Sequence, residues 1–116
     1  MSRTRDLAPS RSDTRRSAPV FAALGDETRL RLLTRLSREG PQSITSLAAG
    51  SEITRQAITK HLRRMEQAGV LRAARAGRER VWEVEPSSLL DAEQYLRTIS
   101  GQWDAALARL KRFVED

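Results

Sequence analysis

The sequence predicts a mainly α-helical domain with one small β-hairpin and a long C-terminal helix. Three observations carry this reading. Polar capping residues and glycines divide the first two-thirds of the chain into short amphipathic segments. The hydrophobic period then changes over residues 70–84. After Pro86, apolar residues recur at heptad spacing almost to the end of the chain.

Taken in order, residues 1–16 hold five Arg and two Asp with little apolar content, and a disordered basic arm is expected there. A short helix is expected from Pro19, which suits a first helical turn, with Val20, Phe21 and Leu24 on one side and Gly25 at its end. Asp26 caps a second helix, DETRLRLLTRLSRE. Its Leu30, Leu33 and Leu36 form an apolar stripe widened by Leu32, and Arg29, Arg31, Arg35 and Arg38 occupy the other faces. Gly40 and Pro41 stop it. Ser43 caps a short third helix with Ile44, Leu47 and Ala48 inward, and Gly50 opens a tight turn anchored by Ile53. Thr54 caps a fourth helix, TRQAITKHLRRMEQAG, closed by Gly69.

VLRAAR and RVWEV, separated by AGRE, read as a hairpin, although Val81 and Trp82 alternate poorly and leave the register open. In the last helix Leu89, Ala92, Leu96, Ile99, Trp103, Ala106, Leu110 and Phe113 form a heptad seam, with Gly101 placed to bend it. Such a seam suits a partner helix; packing on the chain's own core is the alternative, and a domain this small could use half of it that way.

Length and composition narrow the function. A chain of 116 residues fits one domain. The absence of cysteine excludes disulfides, thiolate metal sites and a cysteine nucleophile. With one histidine, no Gly-rich phosphate loop and no suggestive carboxylate pair, nothing assembles a nucleophile with a base. No enzyme, catalytic residue or cofactor is expected. No apolar run approaches the roughly 18 residues of a membrane span, and the N-terminus lacks an apolar signal core. A cytoplasmic protein without a membrane partner is expected.

The net charge of +6 is unevenly placed: residues 54–80 hold eight basic residues against two acidic, whereas residues 81–116 hold four against seven. A local basic excess suits a polyanion, with nucleic acid first and an anionic membrane second. A solvated basic face is the plain alternative. Nineteen of the 21 basic residues are Arg, which suits bidentate contact with phosphate and guanine, or reflects a GC-rich genome.

Two short helices joined by a Gly turn, the second of them basic, match a DNA-binding helix-turn-helix, and the hairpin that follows matches a wing. On the fourth helix Ala57, Ile58, Leu62 and Met65 can face inward, leaving Arg55, Gln56, Thr59, Lys60 and Arg63 outward. Gln56 suits adenine, Arg55 guanine, and Thr59 a thymine methyl or a phosphate. Thr54 at the cap can offer its hydroxyl and nearby N–H groups to phosphate. Lys60, Arg63 and Arg64 suit phosphate. His61 fits a phosphate contact, or packing or backbone contact, which we favour. At the hairpin tip Arg75, Arg78 and Arg80 suit a minor groove or the DNA backbone. For all of these residues the plain alternative is solvated surface.

The chain resembles the ArsR family of bacterial winged helix-turn-helix repressors. The resemblance lies in ALGDETRLRLL, ITRQAITKHLRRMEQAGVL and RAGRERVWEV, and covers about residues 18–86. The C-terminal GQWDAALARLKRFVE is similar to a cysteine-free branch with a Trp-rich last helix. The resemblance implies a homodimer on a palindromic operator, joined through the first and last helices. Val20, Phe21, Leu89, Leu96, Ile99, Trp103, Leu110 and Phe113 are then the dimerisation residues. The family's metal-sensing Cys pair is missing: Ser43, Ile44, Thr45, Ser46 and Leu47 stand in its place, and Asp91 and Glu93 have no His beside them. No metal site is expected. The expected organisation is a basic arm over 1–16, a DNA-binding domain over 17–86 and a dimerisation helix over 87–116. The expected function is a sequence-specific repressor of double-stranded DNA with an open effector question. A nonspecific architectural DNA binder and a protein-interaction module are the alternatives.

Overall fold

In the computed structural model, which describes residues 8–115, the elements run α1 (Arg11–Leu24), α2 (Glu27–Glu39), α3 (Ile44–Ala48), α4 (Arg55–Gln67), β1 (Leu71–Ala76), β2 (Glu79–Val84) and α5 (Pro86–Glu115). The mainly helical class, the single hairpin and the order of elements match the expectation from sequence.

The largest departure is at the start. Helix α1 begins at Arg11, well before Pro19, so residues 11–16 of the expected arm are helical; residues 1–7 of that arm lie outside the described residues. The cause is a capping box. The Ser10 hydroxyl accepts the Asp13 N–H at 3.0 Å, and the Asp13 carboxylate accepts the Ser10 N–H at 3.1 Å. Pro19 therefore sits inside the helix, not at its first turn. The buried face of α1 is Ser17, Val20 and Ala23. Over residues 11–18 the one buried side chain is Ser17, so apolar periodicity marks the helix only from Val20 onward. Against α5, the Thr14 hydroxyl lies 3.0 Å from the Tyr95 hydroxyl, and the Phe21 and Tyr95 rings pack tilted at 6.0 Å.

Helices α2, α3 and α4 start where their caps place them. Asp26, Ser43 and Thr54 accept the backbone N–H of Arg29, Ser46 and Ala57 respectively, at 3.0–3.1 Å. The α2 stripe is rotated from the expected one: Leu32 and Leu36 are buried, Leu33 packs against them, and Leu30 is 46% exposed. Leu32 and Leu36 are one i,i+4 pair, and that row, not the one through Leu30, meets the core.

Helix α4 ends in a Schellman motif. The Gly69 N–H donates to the Glu66 carbonyl at 2.9 Å and the Val70 N–H to the Met65 carbonyl at 3.0 Å, with Gly69 at φ +85°. The strands are antiparallel with Leu71 opposite Val84 and Ala76 opposite Glu79. That leaves Gly77 and Arg78 as the loop, with only Gly77 at positive φ, as a type II′ turn requires. The expected AGRE loop is thus shorter by one residue at each end. Val81 and Trp82, neighbours on opposite faces, are both buried, which explains the poor alternation.

The core gathers Leu32 and Leu36 from α2, Leu47 from α3, Ile58, Leu62 and Met65 from α4, Leu71 and Trp82 from the hairpin, Val20 and Ala23 from α1, and Ala92 from α5. Gln42 extends the sheet: its N–H and carbonyl both bond the backbone of Trp82, at 3.1 and 2.8 Å. Helix α5 is continuous through Gly101. Ala92 is its one buried residue among those described.

A Cβ at Gly69 would lie 2.6 Å from the Ser88 hydroxyl, at a φ that L side chains avoid. Gly69→Ala is therefore expected to lower stability by about 1–2 kcal/mol or more, read by urea denaturation at fixed protein concentration. An unchanged midpoint would show that the α4–β1 junction relaxes freely.

Candidate nucleic-acid interface

The interface is set by which side of α4 is buried. Ile58, Leu62 and Met65 are essentially inaccessible, and the i, i+4, i+3 spacing forces the remaining faces outward. Arg55, Gln56, Thr59, Lys60 and Arg63 consequently line one shallow hollow, together with Ile44 of α3. The helix-turn-helix thus presents three cations, an amide and a hydroxyl on one surface. The Thr59 hydroxyl donates to the Arg55 carbonyl at 2.8 Å, which orients it while leaving its lone pairs available. Thr54 is exposed at the N-cap, where its oxygen already holds the Ala57 N–H.

Two expected residues fall elsewhere. Arg64 is exposed but does not line the hollow. His61 is half-buried and faces α2. Its Nδ1 lies 3.3 Å from Arg29 Nη1 and 3.9 Å from Asp26 Oδ2. His61 thus stands apart from the hollow and lies against Arg29 and Asp26.

In the wing, Arg75, Arg78 and Arg80 are all exposed, and Arg75 stands directly opposite Arg80 in the ladder. Like charges in that position repel, so an anion between them relieves the repulsion. The Arg80 guanidinium lies 5.1 Å from the centre of the Trp82 ring, a cation–π contact that steadies it. Arg72, lower in the wing, is instead consumed by Glu83 at 2.6 Å and Glu85 at 3.2 Å. Those carboxylates raise the Arg72 pKa. The Ser87 hydroxyl and N–H, with Arg72, hold Glu85 below the usual carboxylate range.

Sequence reasoning missed two contributors. Ile44 was expected inward but also walls the hollow. Arg35 was assigned only to an outer face, yet its guanidinium donates to the Ser46 and Leu47 carbonyls at 3.2 and 3.4 Å and to Glu39 at 3.0 Å. It ties α3 to α2 through the orphan carbonyls of a very short helix. No periodicity marks such a contact.

The expected dimer residues divide. Val20 is 1% exposed and belongs to the chain's own core, and Phe21 and Leu89 pack against that core. Val20 is thus withdrawn from any surface role. Ile99 is half-buried, while Leu96, Trp103, Leu110 and Phe113 are 51%, 65%, 58% and 80% exposed. Among the described residues, no three His, Cys, Asp or Glu side chains are grouped to hold a metal ion, and no helix is long and apolar enough to cross a membrane.

A capped helix pair with an outward basic surface, followed by an Arg-tipped hairpin, defines a winged helix-turn-helix DNA-binding protein. Residues 24–73 match the family model described as a helix-turn-helix domain. Among curated proteins, the chain is 40% identical over 68 residues to the uncharacterized HTH-type transcriptional regulator YuzN of Bacillus subtilis, covering 53% of this chain and 74% of that protein. It is 31% identical over 67 residues to the arsenic resistance transcriptional regulator ArsR1 of Pseudomonas putida, covering 58% of this chain and about half, 52%, of that protein. Among solved structures, it resembles an ArsR-like transcriptional regulator from Rhodococcus sp. RHA1 with a TM-score of 0.80 and 37% identity, over 91% of this chain and 96% of that one. It also resembles the AntR antimony-specific transcriptional repressor at a TM-score of 0.62 and 33% identity, over 84% and 88% of the two chains. The chain belongs to the ArsR family of helix-turn-helix transcriptional regulators, in a form without cysteine. These relatives are regulators, not enzymes.

Asp26 supports the interface from behind. The Arg29 N–H holds its carboxyl below the usual range, and the Arg29 charge acts in the same direction, while desolvation opposes them in part. Because the folded value is the depressed one, this contribution is present above about pH 4 and is lost as pH falls through the folded value. Asp26→Asn, which keeps a capping oxygen, is expected to flatten the acid limb of stability below about pH 4, measured by circular dichroism. An identical acid limb would remove Asp26 from the proton linkage.

Proposed function

We propose that two copies of this chain bind one inverted-repeat operator in double-stranded DNA and repress transcription from it. The observation that carries the reading is the common outward placement of Arg55, Gln56, Thr59, Lys60 and Arg63, with Arg75, Arg78 and Arg80 exposed on the wing. In this reading α4 enters the major groove. Arg55 and Gln56 read bases, Thr54, Lys60 and Arg63 hold phosphates, and the wing reaches the backbone or minor groove. Arg64 lies at the margin and contributes charge only.

The exposed half of the α5 seam supports pairing with a second copy. Leu96, Trp103, Leu110 and Phe113 leave a row of large apolar side chains without cover in one chain, a cost that association removes. Two-fold pairing places half-sites about one DNA turn, ~34 Å, apart. The absence of cysteine and the single histidine favour a regulator that does not respond to a metal. Its site of action is the cytoplasm in this reading.

The deciding experiment is fluorescence anisotropy on DNA upstream of the chain's own gene and on scrambled DNA at two salt concentrations. Gln56→Ala or Arg55→Ala is expected to cost about 1–3 kcal/mol on the preferred DNA and to relax selectivity, whereas Arg63→Ala weakens all DNA alike. Equal losses on both DNAs for Gln56→Ala would contradict base reading. Salt-steep binding without preference would favour the architectural alternative. In sedimentation equilibrium, Trp103→Ala is expected to weaken the dimer by about 2 kcal/mol or more; an unchanged constant would place Trp103 outside the interface.

A further inference from the structure

Resting on the DNA-binding reading above, we propose that Arg29 and His61 are positioning residues: their side-chain contact clamps α4 to the α1–α2 corner and sets the angle at which its outer residues meet DNA, with neither side chain touching the nucleic acid.

The contact joins three helices through one guanidinium. Arg29 Nε donates to the Ala23 carbonyl in the last turn of α1 at 2.5 Å, and its Nη1 reaches His61 Nδ1 on α4 at 3.3 Å. Its own N–H is fixed by the Asp26 cap at 3.0 Å. The neighbouring cations of α2 are used otherwise: Arg31 pairs with Glu27, and Arg35 holds Glu39 and the α3 carbonyls.

A guanidinium has no lone pair to offer, so Nδ1 must be the acceptor and the ring proton must lie on Nε2. The clamp thus selects one neutral tautomer. Its mechanical role follows from what else holds α4. Ile58, Leu62 and Met65 bury one stripe, and apolar contact is non-directional. That stripe sets which side of the helix faces inward and leaves only small rolls about its axis open. A directed hydrogen bond from a fixed neighbouring helix adds a restraint on roll, one residue before Leu62. A small roll of α4 would carry Arg55, Gln56 and Lys60 together away from their partners. A phosphate ligand would instead belong in the outward hollow, and His61 does not line it.

The test uses the full chain, DNA from upstream of its own gene and a scrambled duplex, by anisotropy over a range of salt. His61→Ala and Arg29→Met are each expected to weaken preferred binding about tenfold, with the double variant little worse than either single one. The slope of log affinity against log salt is expected to stay unchanged, because no phosphate contact is lost. His61→Asn places an amide oxygen where Nδ1 lies and is expected to restore most of the affinity. A slope shallower by about one in His61→Ala would make His61 a phosphate ligand and overturn the proposal, as would unchanged affinity.

Because His61 is the only histidine, long-range ¹H–¹⁵N correlation reads its ring in the free protein. The Nε2–H tautomer is expected in the wild type and redistributes in Arg29→Met. A dominant Nδ1–H tautomer in the wild type overturns the clamp whatever the DNA result. A wild-type chain that prefers no DNA defeats the operator reading and the positioning role with it, even if the tautomer is as expected.

Discussion

Burial of Ile58, Leu62 and Met65 along one side of α4 is the constraint on which the rest of the structure depends. These three side chains sit where contributions from every other element converge, and their spacing leaves no freedom about which residues face water. The outward basic surface follows directly from this inward apolar stripe. Charge alone would not organise it, since Arg and Lys side chains repel one another and gain nothing by clustering without an anion. Apolar burial supplies the free energy that holds the cations together, and a polyanion would find them already assembled.

Around that stripe the short elements are held by backbone partners. Helix α3 has only five residues, too few to stand alone. It is capped by Ser43 at one end, and Arg35 takes its late carbonyls at the other. The hairpin is pinned at its base by the paired Gln42 and Trp82 backbones, while its tip carries the opposed Arg75 and Arg80 into solvent. The wing is therefore anchored where it meets the core and carries its charge where it leaves it. A two-stranded hairpin is marginal by itself. Burial of Trp82 and the added pairing with Gln42 give it the support it lacks.

Helix α5 divides its apolar seam between two tasks. Leu89 and Ala92 serve the chain's own core, and from Leu96 onward the large side chains are mostly exposed. The change falls where α5 passes beyond the body of the domain, which gives the chain its 65 Å long dimension against 30 and 21 Å. Heptad periodicity is uniform along the helix, so spacing alone could not say where one task ends. The point of division depends on how far α1 runs beside α5, and that depends on the Ser10 cap, which adds the turns bearing Thr14 and Ser17.

Local signals in the sequence by themselves determined the helix-turn-helix, its caps, the hairpin and the outward set on α4, because each rests on residues close along the chain. Asp26, Ser43, Thr54 and Gly69 act within one helical turn of their own positions, and the α4 stripe is read within one helix. Only the tertiary structure decided the matters that join distant segments. Val20 belongs to the core, Leu30 lies outside the α2 contact, His61 faces Arg29 across 32 positions of sequence, and Arg35 grips α3. Periodicity reports which face of an element is apolar, but not which neighbour it meets or which single polar bond crosses between them. Those are decided when the helices pack, since a guanidinium or an imidazole finds its partner by position in space.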